Sequence, residues 1–339
     1  MRIPVLRTLV VSGLVIPLTA ALVVAQAPQE TGAPRLRAEI ERFARASGGT
    51  VGVSAVHLES GDAISINGGE RFPMASTYKV PIAVRLFERV DVGEIDLADM
   101  VTLTERDLHP GSGEISQLLN DPGVSLSLLN LTELMLLISD NSATDLVLKA
   151  AGGPTAVNAR LRALGVNDIR VDRPTIRLIA DWSGVELPPE DEWSPQAYRR
   201  LSRGVSQDMR AAAAEAFEAD PRDTATPDAM TALLRKVWDG DALSDERTAQ
   251  LLDIMRRCMT GEGRLKGLLP RGTEVMHKTG SIGGTVNDVG IITLPDAAGH
   301  VAVTVFIKGS SRTTEQREAA IAEIARSLYD YFLFAVDDN

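Results

Sequence analysis

The arrangement of hydrophobic and polar positions predicts a helix and then a hairpin at the beginning of the chain. Leu36, Ile40 and Phe43 recur at helical spacing, so residues 35–46 are a predicted helix. From Thr50 onward, apolar and polar residues alternate on both sides of a Ser-Gly-Asp turn, which is the pattern of a β-hairpin. The first part of the chain therefore holds both kinds of element.

Helical patterns dominate the middle of the chain, and strand patterns return near its end. The predicted elements are helices at 77–90, 131–138, 143–150 and from Thr314, and strands at 275–280, 287–294 and 301–308. Strands at both ends with helices between them predict an α+β fold, in which an antiparallel sheet is flanked by helices and joined by an all-helical lobe. The sheet part would come from about 35–90 and 265–339, and the lobe from about 95–260.

Residues at about 180–220 interrupt the helical lobe and are predicted to be an insertion. The run from Asp181 to Glu192 is acidic and contains prolines, and Ser194-Pro195 is a typical helix start. A solvated surface segment is the interpretation that this composition favours for most of its length.

The first 25 residues have the layout of a secretory signal peptide. Arg2 and Arg7 precede an uncharged apolar run from Leu9 to Ala25, and cleavage is predicted after Ala25. The alternative is an uncleaved membrane anchor, because the run is nearly long enough to span a bilayer. We expect export to the periplasm or the medium, with no stable membrane insertion after cleavage.

Composition and charge narrow the classes of partner. The 339 residues are 44% apolar and carry a net charge of −11, so nucleic acid is not an expected ligand. The single cysteine, Cys258, lies in an apolar-periodic segment and is interpreted as a packed residue. No internal disulfide is possible, and nothing in the sequence requires a partner chain, so a monomer is expected.

Several classes of hydrolase lack their sequence signatures here. The four histidines are scattered and form neither H-x-H-x-D nor H-E-x-x-H, so no metal site is expected. G-x-S-x-G and a glycine-rich phosphate loop are also missing, and no cofactor is expected. His277 is interpreted as a strand-packing residue.

Three short motifs point to serine chemistry. They are Ser76-x-x-Lys79 within RFPMASTYKV, Ser139-Asp140-Asn141 between two predicted helices, and Lys278-Thr279-Gly280 on a late predicted strand. Ser76 alone could be an ordinary helix N-cap. All three motifs together have a chance of roughly 5 in 10,000 from composition, which favours a functional interpretation.

The first motif has a physical rationale. A serine hydroxyl is a weak nucleophile and needs a base within hydrogen-bonding reach. Residues three apart on a helix share a face, so Lys79 is expected to point back at Ser76 Oγ. A lysine acts as a base only when neutral, which requires burial or cationic neighbours that lower its pKa.

The order and spacing of the motifs resemble the class A β-lactamases and the wider family of penicillin-recognising serine enzymes. The resemblance extends to VGVSAVHLESGD, ERDLHPGSG, SDNSATDLVLKAAGGP, RDTATPDAM and HKTGSIGGTVNDVGIITLP, and covers most of residues 35–335. It implies a catalytic domain over 35–339 that attacks β-lactam amides through an acyl-enzyme on Ser76.

The resemblance also implies a role for each site residue. Ser139 would relay a proton to the leaving lactam nitrogen, and Asn141 would hold the amide of the substrate side chain. Lys278, Thr279 and Ser281 would bind the substrate carboxylate, and Gly280 would let the substrate lie against the strand. The oxyanion hole would be formed by the backbone N–H groups of Ser76 and Ser281.

One part of the sequence departs from the family pattern. Residues 170–179 read RVDRPTIRLI, with Thr175 where a deacylating glutamate is expected and Ile179 where an asparagine is expected. An acidic residue of the insertion could replace that base; the candidates are Asp181, Glu186, Glu190, Asp191 and Glu192. The alternatives are a penicillin-binding or DD-peptidase-like enzyme acting on cell-wall peptides, a slow-releasing β-lactam trap, and a hydrolase of other esters or amides.

Overall fold

The computed structural model describes residues 32–189 and 192–335 as helices, strands and connecting turns. The strands are β1 (Thr50–His57), β2 (Ala63–Ile66), β3 (Phe72–Pro73), β4 (Met100–Thr102), β5 (Ser125–Ser127), β6 (Thr224–Ala225), β7 (Val275–Ile282), β8 (Thr285–Thr293) and β9 (His300–Lys308). The predicted signal peptide at 1–25 lies outside the described residues.

Twelve α-helices are found in this part of the chain. They are α1 (Gly32–Ala46), α2 (Lys79–Asp91), α3 (Ile115–Leu118), α4 (Leu128–Leu137), α5 (Asn141–Ala150), α6 (Gly153–Ala163), α7 (Thr175–Ser183), α8 (Pro195–Gly204), α9 (Gln207–Glu218), α10 (Pro227–Trp238), α11 (Asp245–Arg256) and α12 (Thr314–Ala335). None of the described helices is both long and apolar enough to cross a membrane.

The main sheet is antiparallel and has five strands in the order β2-β1-β9-β8-β7. Successive side chains of β9 point to opposite faces, as the two-residue period of a strand requires. Val303 and Val305 pack with α1 and α12, whereas Ala302 and Phe306 pack with the core beneath the helical lobe. The sheet therefore separates two hydrophobic cores, which confirms the predicted α+β fold.

The order of the strands positions the site. β7 is an edge strand of the sheet, and it reaches the short 3₁₀ turn Ala75–Tyr78 that leads directly into α2. α10 lies within the range predicted for the helical lobe but packs on the sheet, where Thr231 Oγ1 donates to Ser54 O at 3.2 Å. The boundaries predicted between the sheet part and the helical lobe, at about 90–95 and 260–265, therefore remain predictions.

The described part of the insertion folds into helices with a small core of their own. Ala180, Val185, Trp193 and Tyr198 are buried together. Ser194 caps α8, because its hydroxyl accepts from Ala197 N at 3.1 Å, as the Ser-Pro start predicts. The apolar residues of this segment therefore pack on one another, whereas many of its polar residues, including most of α9, are exposed as the predicted surface segment requires.

Candidate active site

A cleft of about 370 Å³ opens between the Ala75–Tyr78 turn, the start of α5, α7 and the end of β7. Ser76, Asn141 and Ser281 line it directly. The other predicted site residues lie in the wall behind these three, where all are buried: Lys79, Ser139, Lys278, Thr279 and, on the same strand, Gly280. The three motifs are therefore brought together, although they are far apart in sequence.

Ser76 lies in the second position of the 3₁₀ turn and is half-buried at the cleft. Its hydroxyl makes no hydrogen bond to any described residue and does not cap the helix, so the N-cap alternative is wrong. The preceding residue, Ala75, has a φ of +47°, a conformation that costs free energy for a residue with a side chain. Such strain persists only where the surrounding structure imposes it, as it does at many functional sites.

Lys79 is fully buried and its three ammonium donors are all used. Nζ donates to Ser139 O at 2.7 Å, to Ser139 Oγ at 3.1 Å and to Asn141 Oδ1 at 3.2 Å. The expected hydrogen bond to Ser76 Oγ is not formed, because these three acceptors satisfy the ammonium. Burial, followed by the charge of Lys278, holds the pKa of Lys79 well below its usual value.

Ser139 is the point at which the two lysines meet. Its Oγ lies 3.1 Å from Lys79 Nζ and 3.1 Å from Lys278 Nζ. Its backbone has a φ of +61°, which turns the carbonyl toward Lys79. Burial lowers the pKa of Lys278 to about 8. Two ammonium groups that share one hydroxyl in a buried site repel each other, so the arrangement favours one neutral lysine.

Asp140, the middle residue of the second motif, stabilises the local backbone. Asn141 holds Lys79 through its Oδ1 and the loop at 105–113 through its Nδ2. Asp140 caps α5, accepting from Ala143 N at 2.8 Å, and also accepts from Ile115 N at 2.9 Å. Asn141 Nδ2 donates to Pro110 O at 2.9 Å. The loop at 105–113 therefore fixes the amide of Asn141 beside the cleft.

Gly280 is required by a close approach of two backbones. A Cβ on Gly280 would lie 2.7 Å from Met74 O and 2.9 Å from the backbone nitrogens of Ser76 and Thr77. This contact is a second reason for the glycine, in addition to the room for the substrate that the resemblance implies. The edge of β7 and the nucleophile turn can touch only because position 280 has no side chain.

Thr279 and Ser281 are oriented by residues that the motifs do not include. Thr279 Oγ1 lies 2.6 Å from Thr260 Oγ1, and Ser281 Oγ accepts from Arg264 Nη2 at 2.7 Å. Arg264 also donates to Gly280 O and Asn287 O, and forms an ion pair with Glu318 at 3.0 Å.

Sequence reasoning missed Arg264, a buried cation beside the substrate strand. It lies in the turn GEGRLKG, where no periodicity or motif distinguishes it from a solvated arginine. Burial of a charge needs full pairing. The fold brings Glu318 of α12 to Arg264, and the sequence alone does not indicate this pairing.

Thr175 occupies the floor of the cleft opposite Ser76. It is buried, and its hydroxyl is hydrogen-bonded to the hydroxyl of Tyr78, whose pKa burial raises well above the usual value. Asp145 accepts from Thr175 N at 2.6 Å and Ile176 N at 3.1 Å. These backbone hydrogen bonds and a 3.0 Å contact with the His109 ring hold Asp145, which does not line the cleft.

The described acids of the insertion do not reach the cleft. Asp181 pairs with Arg173 at 2.8 Å, and Glu186 and Glu192 are exposed and outside the cleft lining. Glu190 and Asp191 lie outside the described residues. Apart from Thr175, the residues that α7 contributes to the cleft are Leu178, Ile179 and Trp182, and none of them is acidic.

His277, next to Lys278 on β7, is a further titratable residue near the motifs and is fully buried. Its Nδ1 is 3.0 Å from both carboxylate oxygens of the buried Asp288. It does not line the cleft, in keeping with the packing role predicted for it. Within the described ranges, no group of three His, Cys, Asp or Glu side chains is placed to hold a metal ion.

Comparison with known proteins places this geometry in a family. A sequence model of the beta-lactamase enzyme family matches residues 35–332. Beta-lactamase VEB-1 from Pseudomonas aeruginosa is 28% identical over 306 residues, which cover 88% of this chain and 90% of that protein.

Solved structures agree with the sequence match. A beta-lactamase from Chitinophaga pinensis superimposes with a TM-score of 0.73 at 29% identity, covering 88% of this chain and 99% of that one. A point mutant of the class A beta-lactamase of the last common ancestor of Gram-negative bacteria gives 0.71 at 32% identity, with 88% and 98% covered. The chain belongs to the beta-lactamase enzyme family and has the fold of its class A members.

Proposed function

We propose that this protein is an exported serine hydrolase that attacks the amide bond of β-lactams and forms an acyl-enzyme on Ser76. The family acts on small-molecule β-lactams, which supports the substrate class. One observation supports the mechanism above all. The hydroxyl of Ser139 lies between the two buried ammonium groups of Lys79 and Lys278, in the wall behind the cleft that Ser76 lines.

Acylation needs a base for the Ser76 proton. Lys79 can serve as that base because burial and the charge of Lys278 favour its neutral form. Neutral Lys79 has two donors and one lone pair, so it can leave one of its three present acceptors and turn the lone pair to Ser76. Ser76 Oγ then bonds to the lactam carbonyl carbon while its proton moves to Lys79. The C–N bond then breaks as Ser139 gives its proton to the ring nitrogen and takes one from Lys79, to which it is already hydrogen-bonded.

The developing oxyanion and the substrate carboxylate would be held along β7. The backbone N–H groups of Ser76 and Ser281 form the oxyanion hole in this proposal. Their approach is supported by Gly280, where an added Cβ would lie 2.9 Å from Ser76 N. Loss of one such donor costs about 3–4 kcal/mol in other serine hydrolases. Lys278, Thr279 and Ser281 would bind the carboxylate, with Arg264 adding a second positive charge.

A specific observation supports a second candidate, a trap that acylates once and releases slowly. Thr175 and Tyr78 hydrogen-bond to each other at the place where the family pattern expects a deacylating glutamate. No Asp or Glu is among the described residues that line the cleft. General-base catalysis contributes roughly 10²–10⁴ in rate, so release without it would be slow.

A time course with a chromogenic cephalosporin and the mature protein separates the candidates. Continued turnover that disappears in Ser76→Ala supports a β-lactamase, and a single stoichiometric burst supports the trap. Equal rates for wild type and Ser76→Ala would overturn both. D-Ala-D-Ala peptides and simple esters, tested in parallel, address the remaining alternatives.

Export and a monomeric state are part of the same proposal. The layout of residues 1–25 supports export, and N-terminal sequencing of the secreted protein tests cleavage after Ala25. Sedimentation analysis of the mature protein tests the monomer.

A further inference from the structure

A second cleft, of about 540 Å³, adjoins the segment that carries Thr175 and is larger than the cleft at Ser76. Pro174 and Ile176, the two neighbours of Thr175, line this second cleft, whereas Thr175 itself lines the cleft at Ser76. Among the described residues, none lines both clefts. Small-molecule sites in proteins measure roughly 300–1,000 Å³, so the second cleft is large enough to hold a ligand.

The second cleft offers apolar surface from three parts of the chain. Leu146 lies on α5, Ile176 on α7, and Leu187, Pro188 and Trp193 lie in the insertion. Such a lining favours the hydrocarbon part of a ligand, because binding removes apolar surface from water on both sides.

The acidic residues that line the second cleft already have donors of their own. Asp107 Oδ2 accepts from Thr104 N at 2.8 Å. Asp145 accepts from the first two backbone N–H groups of α7 at 2.6 and 3.1 Å. Asp172 pairs with Arg170 at 2.7 Å. None of these three carboxylates is paired with a lysine of the cleft.

Two cations that line the second cleft lack a partner. Lys149 and Arg177 are exposed, and neither makes a hydrogen bond or an ion pair with any residue in the described part of the chain. The other lining arginines, Arg106 and Arg173, do have partners. Two unpaired positive charges at one cleft attract an anion.

Two buried N–H groups of lining residues also lack an acceptor within the described ranges. They are Trp193 Nε1 and Arg173 Nη2. The two residues are only 9% and 3% exposed, respectively. A buried donor without an acceptor is destabilising, and a bound carboxylate that accepts from it would remove that cost.

We propose that the second cleft is a binding site for a small molecule with an apolar body and one carboxylate group. The apolar lining buries the body, and Lys149 and Arg177 attract the carboxylate. The free donors of Trp193 and Arg173 supply charge-assisted hydrogen bonds, which are stronger than neutral ones. The site is separate from Ser76, so the inference stands independently of acylation.

The position of the second cleft also predicts what binding does to the protein. Asp145, which lines it, holds the backbone nitrogens of Thr175 and Ile176. A ligand that packs on Pro174 and Ile176 should therefore restrict the start of α7. We expect slower amide hydrogen exchange in α7 when the site is occupied.

Two bromine-labelled probes test the site. 4-(4-Bromophenyl)butyrate has the apolar body and the carboxylate, and 4-(4-bromophenyl)butan-1-ol has the same body without the charge. Bromine quenches indole fluorescence on contact, and the chain has three tryptophans, so Trp182→Phe with Trp238→Phe leaves Trp193 as the only reporter. We expect saturable quenching by the acid and roughly 10-fold weaker binding of the alcohol.

Charge variants test the two free cations. Lys149→Ala and Arg177→Ala should each weaken binding of the acid roughly 3-fold, because exposed charges contribute modestly, and should leave binding of the alcohol unchanged. Arg203→Ala is the matched control. Arg203 is an exposed residue of the same insertion that does not line the cleft, so neither affinity should change.

A measurement on the wild-type protein does not depend on how the tryptophan variant folds. Anomalous scattering from crystals soaked with the acid locates its bromine. We expect the bromine beside Leu146, Ile176 and Leu187.

Three outcomes would overturn the inference. They are quenching that does not saturate, equal affinities for the acid and the alcohol, and a bromine found in the cleft at Ser76 instead. Affinity for the acid that is unchanged in both Lys149→Ala and Arg177→Ala would also refute it. A wild-type protein that fails to acylate refutes the proposed function alone and leaves these results valid.

Discussion

At the scale of single residues, the site combines buried charge with strained backbone. Lys79 and Lys278 are both without solvent exposure, and Ala75 and Ser139 adopt left-handed backbone conformations beside them. Both features cost free energy, and favourable packing of the surrounding residues must offset that cost. Their concentration around Ser76 is what distinguishes this cleft from an ordinary surface depression.

Thr175 gives the first prediction at this scale. Thr175→Glu, combined with Tyr78→Phe to remove the competing hydroxyl, should place a carboxylate on the floor of the cleft. If release is slow because a base is missing, the steady-state rate after the burst should rise by roughly 10² or more. The rate is measured with a chromogenic cephalosporin.

The matched control keeps the same shape without the base. Thr175→Gln with Tyr78→Phe should release no faster than Tyr78→Phe alone. Equal release rates for the glutamate and glutamine variants would show that deacylation is not limited by a base at this position.

Gly280 gives the second residue-scale prediction. Gly280→Ala places a Cβ within 2.9 Å of the Ser76 and Thr77 backbone nitrogens, so β7 or the nucleophile turn must move. We expect a loss of about 1–3 kcal/mol in the free energy of unfolding and a slower acylation burst. Urea unfolding and the burst rate measure the two effects.

Gly69→Ala is the control, because a Cβ at Gly69 meets no atom within 4 Å. It should leave both quantities nearly unchanged. If Gly280→Ala behaves like Gly69→Ala, the close approach of the two backbones is not a constraint on the site.

At the scale of elements, the segment before α7 is held by one buried cation. Arg173 pairs with Asp181 on α7 at 2.8 Å, Asp220 after α9 at 3.0 Å and Asp223 before β6 at 2.5 Å. The arginine thus joins three elements, and Asp223 is buried with it. The position of Thr175, two residues later, depends on this network.

Arg173→Met should therefore disrupt the wall of the cleft. It leaves buried carboxylates without their cation, which costs about 3–5 kcal/mol in comparable cases. Amide hydrogen exchange should increase in α7 and α9 first. Arg170→Met, which removes the half-exposed pair with Asp172, should cost less than about 1 kcal/mol. Similar costs for the two variants would contradict this role of Arg173.

The elements also show where sequence reasoning succeeds. The first hairpin and strands β7 to β9 were predictable, because alternation and turn residues are local signals. The motifs identified Ser76, Ser139 and Lys278 by residue type and spacing, although Ser76 lies just before α2, Ser139 between α4 and α5, and Lys278 within β7. The core of the insertion was predictable only in part: Tyr198, Leu201 and Val205 recur at helical spacing after Ser194-Pro195, but nothing in the sequence indicates that Trp193 and Val185 pack with them.

Contacts between distant segments also could not be predicted from the sequence. Nothing local indicates that Tyr78 meets Thr175, that Lys79 donates to Ser139 rather than to Ser76, or that Arg264 reaches Ser281. Each depends on the closure of the whole fold. The chemistry of the site could be predicted from residue types, whereas its hydrogen-bond partners required the structure.

At the scale of the whole molecule, the edge of the sheet and the helical lobe meet at the cleft. The sheet supplies Lys278 and Ser281 at its edge, and the helical lobe supplies Ser139 and Asn141. The nucleophile turn lies between them, at the start of α2. Acylation should therefore depend on the relative position of both parts, and not on either part alone.

The central claim is that Ser76 becomes covalently acylated by a β-lactam. Intact-protein mass spectrometry after brief mixing with benzylpenicillin tests it most directly, with peptide mapping of the adduct. The account predicts an added mass equal to one opened penicillin on the peptide that contains Ser76, and no added mass in Ser76→Ala. An adduct on another residue, or an unmodified wild-type protein that leaves the drug intact, would contradict it.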